Sequence, residues 1–239
     1  MKIETRIIPE EVPPKFFAQH LSPYLFVKEH IKAKKVLEVG CGDGYGSAYL
    51  ANFAQEVAGV DYDRQTILTA KCKYKADNLV FYNMDATSLQ FPDNTFDVIC
   101  SFQVIEHIPA DILLKYLNES KRVLRQKGFL FLSTLNLKHS MKGKGALYKK
   151  NPAHCREFTL SELRRLLSTV FVLDEVYGLH QTKRHKLYHR LKKTGLFNFL
   201  PKAINPVERF YSNISTSDFQ FTQDDLEGSS DFLAICRKA

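Results

Sequence analysis

VLEVGCGDGYGSAYL, Val36 to Leu50, decides the fold. It opens as an apolar run and then sets glycine at every second position: Gly40, Gly42, Gly44 and Gly46. The apolar part reads as a buried strand, since a short run of this kind wants cover on both faces. The glycine part cannot continue that strand, because a glycine has no side chain to pack and weakens it. A strand that ends in bare backbone and runs into a helix makes a crevice at the end of an open parallel sheet, where a ligand can lie against the main chain.

The pattern around this stretch repeats it. Strand signals at 35–39, 56–63, 78–86, at the start of 96–108, and at 129–135, 170–178 and 231–238 alternate through the first five with helical signals at 45–53, 64–75 and 112–125. Ile67, Leu68 and Cys72 are expected on one side of the second of these helices, and Gly128 is expected to end the third. Alternation at these lengths argues for βαβ units and a parallel sheet. Lys15 to Lys32 reads as a leading helix interrupted near Pro23. Residues 137–158 carry glycine and lysine without a period and read as a long loop, a kind that is usually functional or disordered. Thr159 and Glu162 form a capping signature for the helix that follows.

Composition sets the outer bounds. The chain has 239 residues, and 44% apolar against 25% charged content is that of a globular protein. No stretch approaches the roughly 18 continuous apolar residues of a membrane span, and the N-terminal residues show no secretion signal. Five scattered cysteines with no C-x-x-C fit a reducing cytosol better than a disulfide framework or a zinc knot. A cytoplasmic protein is therefore expected, one that can sit peripherally at the inner membrane surface. The net charge is +8, and residues 180–209 hold eight Lys/Arg against the single acid Glu208, so one segment carries +7 of it.

Two templates for the glycine loop fail. A dinucleotide fingerprint G-x-G-x-x-G would need its third glycine at Tyr45 or Ser47. A phosphate loop would need Lys after Gly46, where Ser47 stands. What is present is Glu38-Val39-Gly40-Cys41-Gly42-Asp43-Gly44. Asp61 is expected to end the second strand, 21 positions after Gly40, Asp85 is expected to end the third in Asn83-Met84-Asp85-Ala86, and Ser101-Phe102-Gln103-Val104-Ile105-Glu106-His107 follows the fourth strand.

These residues resemble the class I S-adenosylmethionine-dependent methyltransferases, in the branch that includes the ubiquinone-biosynthesis O-methyltransferases. The first motif resembles that family's E/D-x-G-x-G-x-G, and the stretch ending in Glu106-His107 resembles its x-x-V-L-E-H. The resemblance implies an α/β fold, a doubly wound, Rossmann-like, mostly parallel seven-stranded sheet with helices on both faces. It implies a helical lead-in over 1–33 and a catalytic domain over 34–239, with substrate-side insertions at about 136–158 and 178–230. It implies S-adenosyl-L-methionine as cofactor, held by Glu38, Gly40, Cys41, Gly42, Gly44, Asp61, Tyr62, Met84, Asp85, Ala86, Phe102 and Gln103. Asp61 would take the ribose hydroxyls and Asp85 the adenine amino group. Glu38, costly to bury alone, is expected to find its partner in the glycine-loop amides or the cofactor's methionine part.

Methyl transfer to an alcohol also needs a base. His107, at the crevice rim, is the first candidate, with a helix-capping role as the alternative. His154 is the second. It lies in Asn151-Pro152-Ala153-His154-Cys155-Arg156-Glu157-Phe158-Thr159, which resembles an N-P-x-H-x-R-E-F/Y-T stretch of bacterial methyltransferases, some linked to surface polysaccharide loci. Its alternative is a solvent-exposed loop histidine, and Arg156 and Glu157 read as a mutual ion pair. Relatives with E-x-x-E-H on the first segment hold a divalent cation. Gln103 replaces that first carboxylate here, so no catalytic metal is expected.

The expected acceptor is a small molecule or is lipid- or sugar-linked, methylated at oxygen. For residues 180–211 three readings stand: a solvated helix pair over the acceptor pocket, a membrane-surface element, or a nucleic-acid contact, which is the least favoured. Two other functions remain open, a nicotinamide-dependent oxidoreductase and a non-catalytic cofactor-binding module.

Overall fold

A computed structural model describes residues 7–144 and 147–239; residues 1–6 of the expected lead-in and 145–146 of the long loop lie outside the described residues. The chain opens with helix α1 (Pro14–Val27), followed by a 3-10 turn over Lys28–His30. Then come β1 (Lys35–Val39), α2 (Tyr45–Ala51), β2 (Glu56–Asp61), α3 (Arg64–Lys73), β3 (Leu79–Asn83) and β4 (Phe96–Phe102). α4 (Leu113–Val123), β5 (Leu124–Leu135), α5 (Leu137–Met141) and α6 (Leu160–Leu167) follow. The chain ends through β6 (Val172–Gln181), α7 (Lys183–Thr194), α8 (Pro206–Ser212), β7 (Phe219–Thr222) and β8 (Asp231–Arg237).

The sheet runs β3-β2-β1-β4-β5-β8-β6-β7. The first five strands pair in parallel, and β8, β6 and β7 join antiparallel. The fold is the expected doubly wound α/β sheet, with eight strands where seven are expected. The added strand is β7, four residues paired to the extended end of β6. It is too short, and too embedded in the polar 178–230 region, to announce itself by alternation. Neighbours diverge from β1, with β2 on one side and β4 on the other. That reversal of order opens a crevice at the carboxyl ends of these strands.

Cover on both faces explains the apolar strand sequences. Alternate residues of one strand feed opposite layers, as the two-residue period requires. Leu37 and Val39 join Ile99, Leu117, Leu163 and Leu167 on the side of α4 and α6. Val36 joins Val98, Cys100, Leu50, Tyr24 and Val27 on the side of α1 and α2. Each fully buried Leu or Val stabilises the fold by about 1.5–3 kcal/mol relative to exposure.

Four local expectations are corrected. α1 runs through Pro23 without interruption. α3 buries Thr66, Ile67 and Ala70 and leaves Leu68 and Cys72 exposed, because its contact face is set by β3 and the glycine loop rather than by its own apolar residues. β5 begins at Leu124, before Gly128, since Leu124 already pairs with Phe96 ahead of a register shift. The long loop begins with the five-residue helix α5. Its ends meet where Asn136 bridges Phe158, and the fully buried Asn136 amide donates to the carbonyls of Glu227 and Ser229.

Candidate functional site

The glycine loop is built on backbone that only glycine adopts easily. Gly40, Gly42 and Gly44 all have positive φ, at 73°, 52° and 91°. Gly46 has a different reason to be glycine. It lies inside α2, and a Cβ there would come within 2.2 Å of the Tyr24 ring. The loop is held from below by Val60, whose carbonyl accepts from the amides of Gly40 (2.8 Å) and Cys41 (2.9 Å). It is held from the side by Asp61, whose carboxylate accepts from the amides of Gly42 (3.1 Å) and Asp63 (2.9 Å).

Glu38 finds partners other than those expected. Its buried carboxylate accepts hydrogen bonds from the hydroxyls of Tyr24 and Ser47. Burial pushes this carboxyl up to about 7, against the pull of the two hydroxyl donors. Glu38 therefore ties α1 and α2 to β1 beneath the loop.

One cleft of about 800 Å³ opens above these strand ends, within the range of about 300–1,000 Å³ common for small-molecule sites. Gly40, Cys41, Gly42, Asp61, Tyr62, Met84, Asp85, Ala86, Phe102 and Gln103 line it, as do His107 and His154. Glu38 and Gly44 stand behind its wall. Asp85 lies two residues past β3, in a turn where it accepts from the amide of Thr87 at 2.7 Å. Gln103 takes a left-handed φ of 56°, and its amide nitrogen reaches Asp231 at 3.1 Å.

Two further segments line the cleft. α1 supplies Phe16, Gln19, His20 and Tyr24, and the loop after β5 supplies Ser140, Lys144, Tyr148, Asn151, His154 and Glu157. Among the described residues that line the cleft, none comes from 178–230. The basic helix α7 and the neutral helix α8 pack instead on α1, β6 and β7, around Ala18, Leu179, Phe210 and Phe219.

The two candidate bases meet. The rings of His107 and His154 lie edge to face with centroids 5.0 Å apart. His107 donates from Nδ1 to the carbonyl of Ala153 at 2.9 Å rather than capping a helix, and burial holds its imidazole below the usual range. His154 is largely buried, not solvent-exposed, and its Nδ1 lies 2.9 Å from Oε1 of Glu157. Glu157 also accepts from the hydroxyl of Tyr148, while Arg156 pairs with Glu162 at 2.8 Å. The expected Arg156–Glu157 pair is thus replaced by two separate ones. Glu106 is buried beside them, accepts from Thr134 at 3.0 Å, and is pushed by burial up to about 8. Glu106, His107 and His154 place donor atoms within 4.8 Å of one another, a set that could hold a cation.

Sequence spacing gave no sign of Tyr24, Gln19 or Tyr148. They reach the cleft by long-range packing, and no local pattern encodes that. Glu157 was within the quoted stretch, and its position three residues after His154 was the available signal.

Residues 37–132 match the family described as a methyltransferase domain. The chain is 33% identical over 231 residues to a probable S-adenosylmethionine-dependent methyltransferase of Mycolicibacterium smegmatis, covering 92% of this chain and 88% of that one. It is 31% identical over 108 residues to the ubiquinone biosynthesis O-methyltransferase of Pelagibacter ubique, covering 44% of each. Its fold is similar to that of a SAM-dependent methyltransferase of Thermotoga maritima, with a TM-score of 0.62 at 18% identity, covering 94% of this chain and 92% of that one.

Proposed function

Because the chain belongs to the class I S-adenosylmethionine-dependent methyltransferases, we propose that its cleft holds S-adenosylmethionine along the glycine loop and presents a hydroxyl acceptor to the two histidines. The acceptor is a small molecule or is lipid- or sugar-linked. A single observation carries this reading: the glycine loop, Asp61, Met84–Ala86 and the His107–His154 pair share one cleft. Bare backbone at Gly42, with nothing within 4 Å of where a Cβ would stand, leaves room for the cofactor's amino-acid end. Asp61 and Asp85 face the ribose and the adenine.

When bound, S-adenosylmethionine supplies a methyl carbon already activated by its positive sulfur. The protein's share is alignment, which can contribute about 7–11 kcal/mol, together with removal of the acceptor's proton. Oxygen as the acceptor atom is supported by the histidine pair, since an alcohol keeps its proton at neutral pH and needs a base. It is supported also by the similarity to the Pelagibacter ubique relative, which is named for O-methylation. The loop 136–158 forms the acceptor side, a reading supported by its residues lining the same cleft as the glycine loop together with His107 and His154. A reaction without a metal is supported by Gln103, a neutral amide bound to Asp231 where a hard cation would want a carboxylate, and the Glu106, His107 and His154 donor set is read as serving proton transfer rather than a cation.

The basic region serves a different surface. No helix among the described residues is long and apolar enough to cross a membrane. α7 and the turn after it expose Leu187, Leu196, Phe199 and Ile204 among lysines and arginines. That mixture suits peripheral contact with an anionic inner-membrane surface, from which a lipid-linked acceptor could enter.

Calorimetric titration with S-adenosylmethionine, S-adenosylhomocysteine and NAD tests the cofactor assignment. The first two should bind and NAD should not; NAD binding alone would point to an oxidoreductase. Transfer of radiolabelled methyl groups into fractions of a cell extract identifies the acceptor. Donor binding with no labelled product in any fraction would leave a non-catalytic module.

A further inference from the structure

His107 and His154 both stand ready as bases, yet their surroundings are unequal. The nitrogen Nδ1 of His107 is bound to a neutral backbone carbonyl, that of Ala153. The Nδ1 of His154 is bound to a carboxylate, that of Glu157, whose side chain is only 3% exposed. The other oxygen of Glu157 accepts from the hydroxyl of Tyr148, so the carboxylate is fixed from both ends. Burying a carboxylate is costly unless it is paired. Here the loop buries one directly behind an imidazole that lines the cleft.

We propose that Glu157 is a positioning residue and that His154, not His107, is the general base. This rests on the reading of a hydroxyl acceptor. A carboxylate accepts only, so in the neutral ring the proton of His154 sits on Nδ1 and the lone pair on Nε2. Among the described residues, the hydrogen-bond partner of Nε2 is the amide of Asn151 at 3.4 Å, a weak contact that an acceptor hydroxyl can displace. In the reaction the hydroxyl proton passes to Nε2 of His154 as the acceptor oxygen bonds to the methyl carbon, and the pair of the broken carbon–sulfur bond stays on sulfur. The imidazolium formed at His154 is neutralised by Glu157 until it returns its proton to water. His107 has no carboxylate hydrogen-bonded to its ring among the described residues, and its Nδ1 is taken up by the Ala153 carbonyl. Its edge against His154 limits where that ring can turn.

The test needs two readouts. The first is the long-range nitrogen–proton NMR spectrum of protein labelled with 15N-histidine, which distinguishes the tautomers without any acceptor. Wild type should show neutral His154 as the Nδ1–H form. Glu157→Gln should lose that preference and Glu157→Asp should keep it, with S-adenosylhomocysteine affinity within about twofold of wild type as the check on folding. The second is the rate of labelled methyl transfer from S-adenosylmethionine into the responsive extract fraction. Glu157→Gln should lower the maximal rate by ~10- to 100-fold, and Glu157→Asp should restore part of it.

An Nε2–H tautomer of His154 in wild type, or a full rate in Glu157→Gln, overturns the proposal. So does a tightly held divalent ion whose removal abolishes transfer, because Nε2 would then be a ligand. Wild type that binds S-adenosylhomocysteine and shows the Nδ1–H form, yet labels no oxygen, overturns the hydroxyl-acceptor reading and the base role with it, while Glu157 keeps its hold on the tautomer.

Discussion

The hydroxyl of Tyr24 on α1 donates to the buried carboxylate of Glu38 on β1. The first helix is thereby latched to the strand that carries the glycine loop, and Gly46 is kept bare to seat the same ring. Tyr24→Phe keeps the ring and removes the donor, leaving Glu38 with Ser47 alone. The variant should lose about 1–2 kcal/mol of stability in denaturant unfolding. An unchanged midpoint would mean that the latch contributes nothing.

Asp61 joins structure and ligand, because it holds the Gly42 amide and lines the cleft. Asp61→Ala should weaken S-adenosylhomocysteine by at least ~1.5 kcal/mol in calorimetric titration. Equal affinity in the variant would remove the ribose assignment.

Glu106 makes stability depend on pH in a direction opposite to that of an ordinary surface carboxylate. Burial raises it to about 8 in the folded chain, so between its unfolded value near 4.5 and about 8 the folded state binds more protons than the unfolded one. Its contribution is full below that window and is lost as pH rises through it. Wild type should therefore lose more stability between pH 6 and about 8.5 than Glu106→Gln, whose neutral amide does not titrate. Parallel denaturation midpoints for the two proteins across this range would contradict the assignment.

Membrane contact through α7 would be electrostatic. Lys186, Arg190 and Lys193 are exposed at helical spacing on α7, and each basic residue near an anionic surface contributes about 1 kcal/mol. The protein should sediment with phosphatidylglycerol vesicles at low salt and not with phosphatidylcholine vesicles. Changing all three residues to glutamate should abolish sedimentation. Sedimentation that persists in the triple variant would remove α7 from the contact.

The sequence was most readable where function is encoded locally. Glycine spacing places the loop, and an acid 21 positions after Gly40 places Asp61, because strand, turn and helix lengths are fixed by backbone geometry. The capping box at Thr159 and Glu162 was legible for the same reason, and both of its hydrogen bonds are present. Contacts that depend on packing between distant segments were not legible. Tyr24 meets Glu38 only because α1 lies across the sheet. Glu157 turns to His154 rather than Arg156 because the loop folds both toward the cleft, while Glu162 in the capping box draws the arginine away. β7 was missed because four residues cannot display a period.

The position of the basic helix α7 has one more effect. It packs on β6 beside the edge strand β7, at the far side of the sheet from β3. Neighbouring strands lie roughly 4.8 Å apart, so the eight-stranded sheet spreads its surplus positive charge about 34 Å from the opposite rim. Such a lopsided body experiences a torque near a negatively charged film and turns its cationic rim toward it. In physiological salt this torque acts only within about 8 Å, the screening length, so the molecule is oriented in the last step of approach and tumbles freely before it.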